Sequence, residues 1–277
     1  MVEVHEPFHR RNANCGRTTA VEGYTRSSYG EAFADVYDDW YAGISDAEAT
    51  ADVVAGLAGG IAGTSRVGRV LELAVGTGRL ARPIAARGLD VHGVDTSPAM
   101  LDRLRQVDPE GHVTIVLGDM VDDLPSGPFD VALLAYNSLF NLVSAERQAA
   151  CFAAVAARLV PGGMFVVEAF VPEDPPRVGT VVAVRSMSAG EVVLSISDHD
   201  PVAQRAEGHL VQFVDGERVR LRPWAVRYAA PPELDAMAAS AGFTLDHRWE
   251  DFERHPFGDD SGRHVSVYAL SRHGAGA

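Results

Sequence analysis

The sequence predicts an α/β fold: a mostly parallel sheet with helices on both faces, and an antiparallel β meander inserted late in the chain. Three observations carry this. First, residues 69–95 (RVLELAVGTGRLARPIAARGLDVHGVD) read as a strand, a glycine turn, a helix and a second strand ending in Asp95. Second, further strand-like runs follow at 113–119 (VTIVLGD) and 129–135 (FDVALLA). Residues 159–170 (LVPGGMFVVEAF) then read as a helix end, a Pro-Gly-Gly turn and a fifth strand. Third, the texture changes after Phe170. Pro172, Pro175 and Pro176 punctuate the chain, and β-like runs follow at 178–184, 191–197, 209–214, 218–221 and 224–228. Turn residues separate them, and Asp215-Gly216 marks a hairpin.

The elements divide the chain into five stretches. Residues 1–23 are polar and without period, and read as a mobile N-terminal arm. Residues 24–66 read as helical. In 31–41 (EAFADVYDDWY), Phe33, Val36, Tyr37, Trp40 and Tyr41 fall at helical intervals, which predicts one helix. Ser45 and Glu48 are spaced as a capping box that opens the next. Residues 67–170 form the α/β core. It includes a helix over 79–87, one over 97–107, and an alanine-rich helix over 144–159 that holds Cys151. Residues 171–230 are the antiparallel insert. Residues 231–277 complete the core with a proline-started helix over 231–241, stopped by Gly242, and two final strands at 243–252 and 264–270.

Composition narrows the function classes. The chain has 277 residues, 47% hydrophobic and 22% charged, as expected of a globular protein. Its formal net charge is −14, and all 24 basic residues are arginine. Nucleic-acid binders owe much of their affinity to neutralising phosphates, so an acidic chain without a basic run argues against nucleic acid or an anionic membrane as partner. The absence of lysine removes a Schiff-base former. Cys15 and Cys151 have no second Cys or His at metal-ligand spacing, so no metal is expected. The N-terminus shows no apolar run before a cleavage site, and no stretch of about twenty apolar residues occurs. A cytoplasmic protein is expected, and a homodimer is left open.

The glycine turn carries the functional signal. Residues 76–81 fit G-x-G-x-x-G/A, with the turn pointing a helix N-terminus at a ligand. Asp95 lies about twenty residues on, where a carboxylate accepts both ribose hydroxyls. The run Asp-Thr-Ser-Pro at 95–98 is also a helix start, and both roles can coexist. The turn alone is compatible with NAD. Glu72, at the end of the first strand, tilts the reading. A carboxylate there repels a pyrophosphate and suits a ligand carrying an ammonium and a sulfonium.

These motifs together resemble the class I S-adenosylmethionine (SAM)-dependent methyltransferases, in particular small-molecule enzymes that tailor natural products in secondary metabolism. The matching stretches are ELAVGTG at 72–78, Asp95, GDM at 118–120, FDV at 129–131 and LVPGG at 159–163, in the family's order. The resemblance implies a Rossmann-like, seven-stranded sheet of order 3-2-1-4-5-7-6 with the last strand antiparallel, and SAM as cofactor. It places Glu72, Ala74, Gly76 and Gly78 against the methionine part and Asp95 on the ribose. Thr96, Ser97 and Met100 would flank the adenine, with Asp119 and Met120 at its edge and face. Tyr136 and Asn137 would border the reacting methyl. The 24–66 stretch would be a lid and the insert a cap over the acceptor. Sugar N-methyltransferases share N-terminal aromatics spaced like Tyr29, Phe33, Tyr37 and Tyr41. That branch also carries a histidine where this chain has Asn141.

The expected reaction is methyl transfer to an N or O nucleophile of a small natural-product or amino-sugar-like acceptor. An NAD-dependent oxidoreductase and a non-catalytic SAM-binding protein are the alternatives. Tyr29 and Tyr37 are candidates to face the sulfonium. Tyr29, Asn137, His199 and His255 are the candidates for catalysis. His199 stands between two aspartates, and His255 in Glu-Arg-His-Pro between the last two strands.

Overall fold

The computed structural model describes residues 21–43, 46–63 and 66–272. The first twenty residues of the expected arm, with Cys15, lie outside them, and so does Ser45. The core is a seven-stranded sheet. In chain order its parallel strands are β1 (Arg69–Leu73), β2 (Asp90–Asp95), β3 (Val113–Leu117), β4 (Phe129–Leu134) and β5 (Leu159–Phe170). A four-stranded meander follows: β6 (Gly179–Met187), β7 (Glu191–Asp200), β8 (Arg205–Val214) and β9 (Arg220–Arg227). β10 (Phe243–Trp249) and β11 (Arg263–Leu270) then rejoin the main sheet, whose order is β10-β11-β5-β4-β1-β2-β3. β11 runs antiparallel to both β5 and β10. This is the Rossmann-like arrangement expected.

Helices cover both faces. α3 (Ala47–Ala62), α4 (Ala81–Ala85) and α5 (Pro98–Val107) pack on one. α6 (Ala145–Ala156) and α7 (Pro231–Ser240) pack on the other. The central strand β4 is therefore buried at every position, as strands covered on both faces are. A third cluster lies away from the sheet. There Phe33 and Tyr41, from α1 (Ser28–Phe33) and α2 (Tyr37–Tyr41), pack against Val193 and Leu210 of the meander. No helix among the described residues is long and apolar enough to cross a membrane.

Four local expectations are corrected. The single helix over 31–41 is two, α1 and α2. A continuous helix has Val36 N donate to Ala32 O; here Ala32 O accepts from Arg222 Nη1. Val36 N turns instead to Phe33 O at 3.0 Å. Second, the cap of α3 is Asp46, one residue beyond the expected Ser45. Asp46 Oδ1 accepts from Glu48 N at 2.9 Å and Ala49 N at 3.1 Å, a complete N-cap. Third, the helix over 79–87 shrinks to the five residues of α4, because Arg79 and Leu80 remain in the turn. Fourth, Pro161-Gly162-Gly163 lies within β5. The ladder pairs Phe129 with Leu159 and then Val131 with Met164, so residues 160–163 bulge out between the two. In the meander, the runs at 218–221 and 224–228 are joined in β9. Its edge position tolerates Pro223, which has no amide hydrogen.

Candidate active site

The parallel strands deliver the glycine turn, Asp95 and the β4 exit to one edge of the sheet. Ala74, Gly76 and Gly78 all take positive φ, at 53°, 56° and 79°. The two glycines serve different ends. A Cβ on Gly76 would meet only Ala74 O, at 3.9 Å, so its place opens into the cleft. A Cβ on Gly78 would strike Leu104 Cδ1 at 2.2 Å, so this glycine lets α5 pack on the turn. Asp95 ties the turn down. Its Oδ2 accepts from Gly76 N at 2.9 Å and its Oδ1 from Ser97 N at 2.8 Å. Burial raises its pKa, and these amide hydrogen bonds oppose the rise. Ser97 caps α5, accepting from Met100 N.

Glu72 is the least satisfied group nearby. It is buried, and its Oε2 has no hydrogen-bond partner among the described residues. Burial pushes its carboxyl up to about 8, against the opposing pull of Arg79 and with a further push from Asp95. An unpartnered buried carboxylate is costly unless a cation or donor meets it. With the open place at Gly76, it fits a cofactor carrying an ammonium and a sulfonium.

The cleft above the turn is lined by Ala74, Gly76, Asp95, Thr96, Met100 and Met120 from the core, and by Tyr29 and Tyr37 from the N-terminal helices. Asp119, expected at the adenine edge, does not line it. Its Oδ1 accepts from Val121 N and Asp122 N and pairs with Arg147 at 2.5 Å, while its Oδ2 pairs with Arg26 at 3.1 Å. Residues 24–41 cross the mouth of the cleft on polar ties. Thr96 Oγ1 donates to Arg26 O, Ser97 Oγ to Glu31, and Thr77 Oγ1 to Asp38.

A second cavity, about 350 Å³, continues from the cleft toward the meander. The two share Tyr29, Tyr37, Ser138 and Asn141. Phe33, Tyr41, Tyr136, Phe170 and Trp224 make its walls aromatic, and Asn137, Arg185 and His199 also reach it. Past Phe170, His199 and Ala206 it opens into an outer chamber of about 410 Å³ beside Pro172, Pro176 and Tyr228. Tyr136 and Asn137 enter this space on a left-handed backbone, at φ 47° and 61°. Such φ values are costly and are found where surroundings over-determine them. Here the anchor is β5. Glu168 Oε2 accepts from Tyr136 N at 2.8 Å, Glu168 O from Asn137 N, and Asn137 Oδ1 from Phe170 N at 2.6 Å.

Burial keeps the tyrosines protonated: it raises the pKa values of Tyr29 and Tyr37, and pushes Tyr136 up to about 12. His199 moves the other way, lowered first by burial and then by Arg177. Its Nε2 lies 2.9 Å from Ser197 Oγ. His255 lines neither the cleft nor the aromatic cavity. It is exposed in the loop before β11, with Nδ1 2.9 Å from Asp251, which raises its pKa. Sequence patterns do not single out Arg185, Phe170 or Trp224. The signal for Arg185 is a charge that ends the apolar run VVAV of 181–184 within a strand-like stretch.

Comparison with known proteins agrees with this geometry. A family model described as a methyltransferase domain matches residues 70–163. The solved structure of the CcbJ methyltransferase from Streptomyces caelestis is similar over 90% of this chain and 100% of its own, with 39% identity and a TM-score of 0.81. The dTDP-3-amino-3,4,6-trideoxy-alpha-D-glucopyranose N,N-dimethyltransferase of Streptomyces venezuelae is 30% identical over 68% of this chain and 78% of its own length. The cypemycin N-terminal methyltransferase of a Streptomyces species is 32% identical, over 40% of this chain and 45% of that relative. The chain belongs to the class I SAM-dependent methyltransferases. It is a methyltransferase whose cofactor is SAM, and the NAD reading is set aside.

Proposed function

We propose that this enzyme methylates an N or O nucleophile of a small natural-product or amino-sugar-like molecule seated in the aromatic cavity. One observation carries the reading: the cavity and the glycine-turn cleft share Tyr29, Tyr37, Ser138 and Asn141, so a reacting group in one meets the other. The nucleotide amino-sugar acceptor in the name of the Streptomyces venezuelae relative supports the acceptor class. The net charge of −14 supports a small molecule over nucleic acid. The buried free thiol of Cys151 agrees with a reducing cytoplasm. Titration calorimetry with SAM, S-adenosylhomocysteine and NAD, followed by mass detection of a methyl increment on a panel of amino sugars and glycosides, tests this. Tight binding of NAD without either sulfur ligand would sink it.

In this reading Glu72 and the Ala74–Gly78 turn hold the methionine part. Asp95 holds the ribose, and Thr96, Met100 and Met120 hold the adenine. Asp119 supports that side of the cleft through its tie to Arg147. When bound, SAM supplies an electrophilic methyl on a positively charged sulfur. The chain's tasks are alignment, worth roughly 7–11 kcal/mol at best, and exclusion of water. Residues 24–41 perform the second. The aromatic faces of Tyr29 and Tyr37 attract positive charge, worth about 0.5–2 kcal/mol. Their protonated hydroxyls, with that of Tyr136, donate hydrogen bonds and orient the acceptor. Glu168 and Asn137 position Tyr136.

A proton leaving the acceptor goes to His199, the cavity group that is neutral near pH 7 and able to accept it. Because its pKa is lowered, activity falls only when pH drops below the ordinary histidine value of 6.5. His199→Gln is expected to erase that acidic limb and to cut kcat about a hundredfold. An unchanged pH–rate profile in the variant would remove His199 from this role.

The outer face of the meander supports a homodimer. Cross-strand rows Val182–Ile196, Val184–Leu194–Val211–Leu221 and Met187–Val192–Phe213 lie on the face away from Ser195 and Leu210 of the cavity. Several of these side chains are exposed: Val182 62%, Val184 60%, Met187 75%, Leu221 60%. Monomers rarely leave contiguous apolar patches above roughly a few hundred Å² open. The chain is expected to sediment as a dimer, and the pair Val184→Asp with Leu221→Asp as a monomer. A monomeric parent protein at micromolar concentration would exclude the interface.

A further inference from the structure

Among the described residues lining the aromatic cavity, Arg185 is the one carrying a full charge at neutral pH. No carboxylate among the described residues lines it, so none of them selects a protonated amine by ion pairing. A backbone irregularity places Arg185. Val184 pairs with Leu194 and Ser186 with Val193, which leaves Arg185 as the extra residue of a bulge in β6. Bulges re-aim side chains and are common beside active sites. The guanidinium then lies at the cavity rim, 5.1 Å from the ring centre of Trp40 and 5.0 Å from that of Tyr41.

Trp40 offers an internal contrast. Arg222 also lies over its ring, at 5.2 Å, but is neutralised by Asp35 at 2.5 Å. Arg220 pairs with the same aspartate at 2.6 Å. Arg185 has ring partners and no ion pair among the described residues, in a chain with 38 acidic residues against 24 basic ones. Its charge also reaches the Tyr136 phenol, whose burial-driven rise it opposes. A stacked, pre-aimed guanidinium with open donors is a receptor for anionic oxygens, which it binds in a fork geometry.

We propose that Arg185 receives an anionic group of the acceptor, a carboxylate or a phosphate, and so selects molecules that carry one alongside the nucleophile. This rests on the aromatic cavity being the acceptor site. The rings of Trp40 and Tyr41 hold the guanidinium in place without neutralising it.

The test is calorimetric binding to the full chain saturated with S-adenosylhomocysteine, with benzoate against methyl benzoate and phenyl phosphate against phenol. At least one anion is expected to bind about tenfold or more tightly than its neutral partner. A preference confined to benzoate identifies a carboxylate, and one confined to phenyl phosphate identifies a phosphate. Arg185→Met, which keeps an apolar stem and removes the charge, is expected to bring each pair within about twofold, with S-adenosylhomocysteine affinity unchanged. Ser195→Trp, which fills the cavity, is expected to abolish binding of all four probes while retaining S-adenosylhomocysteine. Equal binding of anion and neutral partner, with both lost in Ser195→Trp, would overturn the role of Arg185 and leave the acceptor site standing. A preference that persists in Arg185→Met would do the same. Probes that ignore Ser195→Trp, or that fail to bind at all, would overturn the cavity reading and this proposal with it.

Discussion

Glu72→Gln is expected to weaken SAM binding by roughly tenfold or more while stabilising the ligand-free protein at alkaline pH. Both effects come from one buried carboxyl. Burial holds its pKa near 8, against an ordinary 4.5. Between those values the ligand-free native state keeps a proton that the unfolded chain has released. Stability therefore falls as pH rises through that window. A shift of this size corresponds to on the order of 5 kcal/mol. Glutamine does not titrate, so the variant's melting temperature should decline less between pH 5 and pH 8 than the parent's. Binding shows the complementary sign. At pH 7 the ligand-free carboxyl is protonated, and a cationic ligand favours its ionised form. SAM binding should release up to about one proton, measured as a dependence of binding heat on buffer ionisation, and Glu72→Gln should release none. Equal proton release in parent and variant would take Glu72 out of the cofactor site.

Much of the core was readable because its signals are local. Parallel strands covered on both faces are short apolar runs, and VLEL at 70–73 and FDVALL at 129–134 have that form. Glycine and proline set their ends. What local pattern does not contain is a partner far along the chain. At the break between α1 and α2, Ala32 O accepts from Arg222, 190 residues away, and the periodicity of 31–41 has no trace of that contact. The α3 cap illustrates a smaller limit. Ser45 and Asp46 are both good caps, and the choice between adjacent residues rests on backbone angles.

The site divides in the same way. Asp95 and the glycines follow from spacing, since strand, turn and strand have set lengths. Asp119 is placed there only by the family resemblance, and its ties to Arg26 and Arg147 have no local signal. The two candidate histidines, His199 and His255, look alike in sequence, each beside acidic residues. The fold separates them by placing His199 on the cavity face of β7 and His255 in an exposed loop. Arg185 is the least readable of all. Its direction is set by a one-residue slip in β6, and a slip of that kind reverses which face a side chain takes.

Asp95→Ala is expected to cost SAM binding about 1–3 kcal/mol and to lower stability at the same time. In the proposed cofactor site the carboxylate has two duties. Its oxygens accept from Gly76 N and Ser97 N, which fixes the glycine turn to the start of α5. Each oxygen has a further lone pair, and those are the acceptors available to ribose hydroxyls. Alanine removes both functions, and it leaves amides without a partner in a region where burial already raises the pKa of the acid. Asp95→Asn separates the two. Its carbonyl oxygen still accepts from one amide, and its NH₂ group donates where the carboxylate accepted. Stability should then recover in part while affinity stays low, because the charge-assisted bonds to the ribose are absent. Thermal unfolding and calorimetry on both variants measure the split. Parent-like SAM affinity in Asp95→Ala would reduce this residue to a cap for α5, and affinity recovering in step with stability in Asp95→Asn would mean that turn geometry, not the ribose bond, sets cofactor binding.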